Sequence, residues 1–145
     1  MPQPTRILLV DDDPAGAELT AAALHEIGLG DNISIASDGE EALDFLFRRG
    51  PYAAGPETPP SLILLDLKMP KVDGHEVLRQ IRADPRLHRA RVVVLTSSDQ
   101  EADITRSREL GSDAYLVKPT SIVELIDQLG RLSDQWQQHT PAGQS

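Results

Sequence analysis

The chain has 145 residues, which is enough for one domain with a well-buried core, and we expect no second folded domain. Its formal net charge of −9 disfavours non-specific binding to nucleic acid or to anionic membranes. The absence of cysteine excludes disulfide bonds, thiolate catalysis and cysteine-bound metals. No apolar run approaches the ~20 residues of a membrane span, and the N-terminus has no signal-peptide core, so we expect a cytoplasmic protein.

Five short apolar runs alternate with segments of helical character. In chain order they are ILLV at Ile7–Val10, ISIA at Ile33–Ala36, LILL at Leu62–Leu65, VVVL at residues 92–95, and AYLV at Ala114–Val117. Runs that are apolar at every position indicate strands buried on both faces, as in parallel sheets covered by helices. The second run is more mixed, which predicts a strand nearer the edge of the sheet.

Each apolar run is followed by a signal for the start of a helix. The expected caps are Asp13 before Pro14, Asp38 before a helix at residues 40–49, Asp73 in Asp73-x-x-Glu76, and the capping boxes Ser98-x-x-Glu101 and Ser121-x-x-Glu124. Gly28 is the expected end of the first helix. The pattern predicts an α/β fold of the flavodoxin-like, doubly wound (βα)5 class, with a parallel five-stranded sheet in the order 2-1-3-4-5.

Two segments do not fit the repeat. Residues 50–61 form a loop rich in proline and glycine, and residues 135–145 form a polar C-terminal tail that is expected to fray. The expected domain therefore spans residues 1–134, with its core at residues 6–132. Trp136 follows the last predicted helix, where it either covers the local core or belongs to a self-association surface.

Five polar residues that could form one site follow the first, third, fourth and fifth predicted strands. Asp11 and Asp12 come after the first strand, Asp66 after the third, Thr96 after the fourth and Lys118 after the fifth. Ligands of open α/β sheets bind beyond the carboxyl ends of the strands, near the point where the strand order reverses. The first and third strands flank that point, so their carboxylates should converge.

Each of these residues alone has an ordinary explanation. An aspartate after a strand is usually a turn residue or a helix cap, which is what we expect of Asp13. A strand-end lysine is usually solvated, and a threonine there usually bonds to the backbone. The whole set at one sheet edge is much less expected by chance, and it therefore indicates a functional site.

The residue types limit the chemistry of this site. Clustered carboxylates repel one another unless a cation is present, and an all-oxygen site suits Mg²⁺. A carboxylate nucleophile can attack phosphorus once a cation offsets the charge of the transferring group. Lys118 could pair with the attached phosphoryl oxygens, and Thr96 could donate a hydrogen bond to one of them.

Four segments, ILLVDDDP, LILLDLKMPKVDG, VVVLTSS and AYLVKP, resemble the signature segments of the response-regulator receiver family of two-component signalling. The resemblance implies a phosphoacceptor switch rather than an enzyme. Such a switch acts catalytically only on its own phosphorylation and dephosphorylation. It implies Asp66 as phosphoacceptor. It implies Mg²⁺ bound by Asp11, Asp12, Asp66 and the backbone carbonyl of Lys68, a switch formed by Thr96, Lys118 and Tyr115, and a cis peptide between Lys118 and Pro119.

The resemblance also implies partners. The long loop before the third strand, with FLFRRGPY and RADPRL, resembles small single-domain regulators encoded beside phytochromes, so the expected donor is a sensor histidine kinase of the bacteriophytochrome type. The family's output face, made by the fourth helix, fifth strand and fifth helix, favours a homodimer. Lys68 stands two residues after the acceptor, where the side chain influences phosphoryl lifetime in the family.

Two other protein classes share parts of this pattern. Asp11-x-Asp13 after a strand also resembles the nucleophile motif of haloacid-dehalogenase-type phosphatases, although those enzymes need a longer chain. A flavodoxin-like carrier of FMN would share the architecture. Its phosphate-binding loop after the first strand would here contain three aspartates, which would repel the phosphate.

Overall fold

The computed structural model describes residues 6–54, 59–69, 72–87 and 89–138, with only the backbone described for residues 136–138. Its strands are β1 (Ile7–Val10), β2 (Ile33–Ala36), β3 (Leu62–Leu65), β4 (Arg91–Thr96) and β5 (Ala114–Val117). Its α-helices are α1 (Pro14–Glu26), α2 (Gly39–Leu46), α3 (Gly74–Ala83), α4 (Glu101–Glu109) and α5 (Ile122–Gln138). All neighbouring strands are parallel in the order β2-β1-β3-β4-β5, which confirms the predicted fold class.

The helices cover the sheet on both faces. Alternate residues of a strand point to opposite faces, so Leu8 and Val10 of β1 pack in the layer with α2 and α3, whereas Ile7 and Leu9 pack in the layer with α1 and α5. Every residue of β1 and β3 is buried. The edge strand β2 is more open, and Ile35 on it remains 47% exposed.

The strand register brings the carboxyl ends of the central strands to one level. Val10 of β1 pairs with Leu65 of β3, so Asp11 and Asp66 both begin the loops that follow these paired residues. At the other side, Thr96 ends β4 and pairs with Val117, directly before Lys118. The parallel sheet therefore places the chemically important residues along a single edge.

The predicted caps at three helices are confirmed. The carboxylates of Asp13, Asp38 and Asp73 accept hydrogen bonds from backbone N–H groups in the first turns of α1, α2 and α3. Gly28, at a φ of +85°, follows the end of α1 and adopts the left-handed conformation that glycine tolerates. At α5, the Ser121 hydroxyl accepts a bond from Val123 N–H at 3.1 Å.

The predicted capping box at Ser98 is wrong. Helix α4 begins at Glu101 with Gln100 at the cap position, and Gln100 makes no side-chain capping bond. The Ser98 hydroxyl instead donates to the Asp103 carboxylate at 2.5 Å and accepts from Gln100 N–H. The charge-assisted bond to Asp103 fixes the hydroxyl where it accepts from Gln100 N–H rather than from Glu101 N–H, as a capping box would require.

Two predicted boundaries change as well. Helix α2 ends at Leu46 rather than at residue 49, and Arg48 adopts a φ of +56° before a short 3-10 turn at Gly50–Tyr52. Helix α5 continues to Gln138, so residues 135–138 of the predicted tail are helical, because glutamine is a good helix former. The rest of the tail lies outside the described residues.

Within the described ranges, no helix combines the length and apolarity needed to cross a bilayer.

Candidate functional site

Three carboxylates meet at the carboxyl edge of the sheet. Asp11 and Asp66 are 2% and 6% exposed, while Asp12 is open to solvent. One carboxylate oxygen from each of the three lies within 4.8 Å of the others. Charged oxygens gathered at such distances suit a hard divalent cation, so these residues fit the Mg²⁺ expected from the sequence.

Local turns fix the orientation of the two buried carboxylates. Asp11 Oδ1 accepts from the backbone N–H of Asp13 at 2.9 Å, and Asp66 Oδ1 accepts from that of Lys68 at 3.2 Å. Each aspartate bonds the residue two positions later, which is the Asx-turn geometry that aspartate favours. These bonds leave further lone pairs on both carboxylates for a cation or a substrate.

Lys118 joins the two buried carboxylates. Its Nζ lies 2.8 Å from Asp11 Oδ2 and 3.2 Å from Asp66 Oδ2, and its side chain is 25% exposed. Partial burial alone would lower the pKa of Lys118, but the hydrogen bond to Asp11 and the negative charges of Asp66 and Asp11 outweigh burial and raise it. The ammonium therefore stays charged beside the acceptor carboxylate.

Thr96 and Tyr115 both contact the loop between β4 and α4. Thr96 is fully buried, and its hydroxyl accepts a long hydrogen bond of 3.4 Å from Ser98 N–H. The Tyr115 hydroxyl donates to the Ser98 carbonyl at 2.8 Å, and burial, with nearby aspartates, raises the pKa of this phenol. Ser98 thus connects Thr96 and Tyr115, two of the three residues for which the family resemblance implies a switch role.

Two expectations for this edge have different outcomes. The peptide bond between Lys118 and Pro119 is trans, as are the other peptide bonds in the described part of the chain, so the predicted cis peptide is wrong. A trans X-Pro bond is intrinsically favoured by ~0.5–1 kcal/mol, and Lys118 N–H already bonds to the Thr96 carbonyl. Coordination by the Lys68 carbonyl stays a prediction.

Sequence reasoning missed Gly74, a glycine that packs against the acceptor loop, which we define as the segment that follows β3 and begins at Asp66. A Cβ atom at Gly74 would lie 2.3 Å from the Asp66 carbonyl oxygen, and Gly74 N–H donates to Leu67 at 3.0 Å. Only glycine allows this approach between the first turn of α3 and the strand end. The Asp73-x-x-Glu76 pattern predicted the start of a helix here, but it did not indicate what the first turn of that helix would pack against.

The chain matches the family model for the response regulator receiver domain over residues 7–130. It is 39% identical over 133 residues to a probable methanogenesis regulatory protein, FilR2, of Methanothrix harundinacea, covering 92% of this chain and 84% of that one. It is also 39% identical to response regulator Rcp1 of Synechocystis sp. (strain ATCC 27184 / PCC 6803 / Kazusa), covering 92% of this chain and 89% of Rcp1.

Solved structures agree with the sequence matches. The Mn²⁺-bound form of Rcp1 has a TM-score of 0.81, covering 92% of this chain and 94% of that one. The phosphorylated cyanobacterial phytochrome response regulator RcpA is 36% identical, with a TM-score of 0.83 and the same coverage. These relatives share the fold and the family, and members of the family act as signalling switches rather than as conventional enzymes. The chain therefore belongs to the receiver-domain response regulators of two-component signalling.

Proposed function

We propose that this protein accepts a phosphoryl group on Asp66 from a sensor histidine kinase, in a Mg²⁺-dependent reaction, and that phosphorylation alters the face made by α4, β5 and α5. The observation that carries the proposal is the arrangement around Asp66. Its carboxylate lies within 4.8 Å of two others and is bonded to Lys118. A carboxylate that is buried, oriented and paired with a cation is prepared for phosphoryl transfer by positioning and charge neutralisation.

The chain's own residues account for most of the transfer step. An oxygen of Asp66 forms the new P–O bond, the P–N bond to the donor imidazole breaks, and the bonding electrons return to that nitrogen. Lys118, now shared between Asp11 and Asp66, would pair with the oxygens of the attached group. The Thr96 hydroxyl can donate a hydrogen bond to another oxygen of the phosphoryl group. Bound Mg²⁺, held by Asp11, Asp12 and Asp66, would supply positive charge to offset that of the phosphoryl oxygens.

The proposed donor is a phytochrome-type histidine kinase. The support is the similarity to RcpA, a phytochrome response regulator, at a TM-score of 0.83. FilR2, with comparable identity, is named for a different process, so similarity alone does not select the donor. A donor of this type would place the protein in the cytoplasm. Phosphotransfer profiling against the histidine kinases of the same genome tests the proposal, and preferred transfer from a kinase without a phytochrome sensor would contradict it.

Replacing Asp66 by Asn tests the acceptor assignment. Wild type incubated with Mg²⁺ and acetyl phosphate should gain a single phosphoryl group by mass spectrometry, and Asp66→Asn should gain none. Asp13→Asn is the matched control, because Asp13 caps α1 through Ala15 N–H and asparagine caps equally well. Label on Asp66→Asn together with loss of label on Asp13→Asn would instead favour the haloacid-dehalogenase-type alternative.

A further inference from the structure

Helix α4 is attached to the domain with very little buried apolar surface. Of its nine residues, EADITRSRE, Ser107 is the only one that is buried, and Ile104 is half-buried. Helices in globular proteins are usually held by an apolar face packed on the core, as α3 is through Val77, Leu78 and Ile81. Polar contacts must therefore contribute much of what holds α4 in place.

The polar anchor of α4 is His75, on the first turn of α3. Its Nε2 lies 3.2 Å from the Ser107 hydroxyl and 3.5 Å from the Asp103 carbonyl oxygen. The bond to Ser107 persists in either neutral tautomer of the imidazole, because a hydroxyl can both donate and accept. Since Ser107 is fully buried, losing this partner would remove a hydrogen bond that is shielded from water.

His75 is attached directly to the acceptor loop. It follows Gly74, whose N–H donates to the Leu67 carbonyl and where a Cβ atom would lie only 2.3 Å from the Asp66 carbonyl oxygen. The backbone at the start of α3 is thus fixed against the end of β3. Because this backbone is fixed, the His75 side chain can restrain the position of α4.

The first turn of α4 is connected to the predicted switch residues. Asp103 accepts a 2.5 Å hydrogen bond from the Ser98 hydroxyl. The Ser98 carbonyl accepts from Tyr115, and Ser98 N–H donates to the Thr96 hydroxyl. A movement of Thr96 would therefore affect Ser98, and through Asp103 it would affect the helix that His75 holds.

We propose that His75 is a positioning residue that holds α4 in its present place and thereby opposes the change of arrangement on phosphorylation. This inference rests on the proposed function of Asp66. When Thr96 moves toward the phosphoryl group to donate to it, the 3.4 Å contact between its hydroxyl and Ser98 N–H lengthens, and the contacts of Ser98 with α4 rearrange. The bond between His75 and Ser107 favours the arrangement that exists before phosphorylation, so removing it should make the other arrangement easier to reach.

The test measures the affinity for beryllofluoride with Mg²⁺ as a phosphoryl mimic. Binding is followed by the NMR signal of the Lys68 N–H, which donates to Asp66. We expect His75→Ala and Ser107→Ala to bind the mimic about three- to tenfold more tightly, as expected for loss of one neutral hydrogen bond, while both unfold at lower denaturant concentration. The double variant should bind no more tightly than either single variant, because both remove the same bond.

Two further variants distinguish positioning from a general structural effect. His75→Gln should return the affinity toward wild type, because its side-chain amide can replace the Nε2 hydrogen bond. Thr105→Ala removes an exposed hydroxyl from the same helix and should leave the affinity unchanged. A residue with only a structural role would lower stability without tightening the binding of the mimic.

Wild-type or weaker affinity in His75→Ala and Ser107→Ala would overturn the proposal. Failure of the proposed function gives a different result, because the Lys68 signal would then still respond to the mimic in Asp66→Asn. The anchor itself is tested without any mimic, by amide hydrogen exchange of α4. Exchange should be about three- to tenfold faster in His75→Ala and Ser107→Ala, but not in Thr105→Ala, and unchanged exchange in all three would refute the anchor.

Discussion

Asp12 differs from its two neighbours in the acidic cluster, because it is exposed whereas Asp11 and Asp66 are buried. The single cation that contacts the cluster in the described part of the chain, Lys118, bonds to Asp11 and Asp66. Asp12 therefore adds negative charge that no observed contact within the site compensates. Its contribution should be unfavourable without a metal ion and favourable with one.

Replacing Asp12 by Asn should separate metal binding from folding. In chemical denaturation without divalent cation, Asp12→Asn should be slightly more stable than wild type, because repulsion with Asp11 and Asp66 is relieved. Mg²⁺ at 100 times its Kd should stabilise wild type by ~2.7 kcal/mol and the variant much less.

The matched control for this prediction is Asp13→Asn, which removes the same charge one residue further along the chain. Asparagine retains the helix cap, so we expect a response to Mg²⁺ close to that of wild type. Equal stabilisation of wild type and Asp12→Asn by Mg²⁺ would show that Asp12 is not a metal ligand.

At the scale of single elements, Arg82 at the end of α3 connects three parts of the chain. Its guanidinium donates to the Ala90 carbonyl at 2.8 Å, the Gly111 carbonyl at 2.9 Å and the Asp113 carboxylate at 2.8 Å. Asp113 in turn accepts from Val92 N–H, the second residue of β4. The Arg82 side chain is only 19% exposed, so these charged hydrogen bonds are partly protected from water.

Replacing Arg82 by Ala should lower the free energy of unfolding by ~2–3 kcal/mol, since several hydrogen bonds to a charged group are lost together. Arg79→Ala is the matched control on the same helix. Arg79 pairs with Glu76 at 2.5 Å, but both side chains are largely open to solvent, and exposed pairs add little stability. Urea denaturation of both variants checks the prediction, and equal losses would contradict it.

The elements also show why part of the structure could be predicted from the sequence. Continuous apolar runs identified β1 and β3 because burial on both faces leaves no polar position in a strand. The Ser98 capping box failed because the Ser98 hydroxyl donates to the carboxylate of Asp103, five residues further along the chain. The partner of the Ser98 hydroxyl depends on the position of α4, and a local sequence pattern carries no information about that position.

At the scale of the whole molecule, the topology was predictable and the contacts between helices were not. Placing Asp11, Asp66 and Lys118 at one edge requires only the strand order and the strand ends. The bond between His75 and Ser107 joins residues on two helices, and nothing in the spacing of a histidine and a serine indicates it. The sequence therefore predicted the acceptor site better than the path by which the site could affect α4.

The exposed apolar side chains bear on self-association. Val123 on α5 is 70% exposed and Val117 on β5 is 39% exposed, and both elements belong to the proposed output face. Apolar groups at the centre of a symmetric interface lose their contact with water, which favours a twofold dimer through this face. The long α5, which continues to Gln138, could extend that interface.

We predict a homodimer at tens of micromolar that Val123→Glu weakens. A glutamate in the first turn of α5 is compatible with the helix dipole, so the variant should remain folded, but its charge would be buried in the dimer. Leu19→Glu on α1, which is 38% exposed and outside this face, is the matched control and should leave the dimer intact. Light scattering with and without beryllofluoride measures the mass. A monomeric wild type under both conditions would refute the dimer, and a dimer that survives Val123→Glu would place the interface on another face.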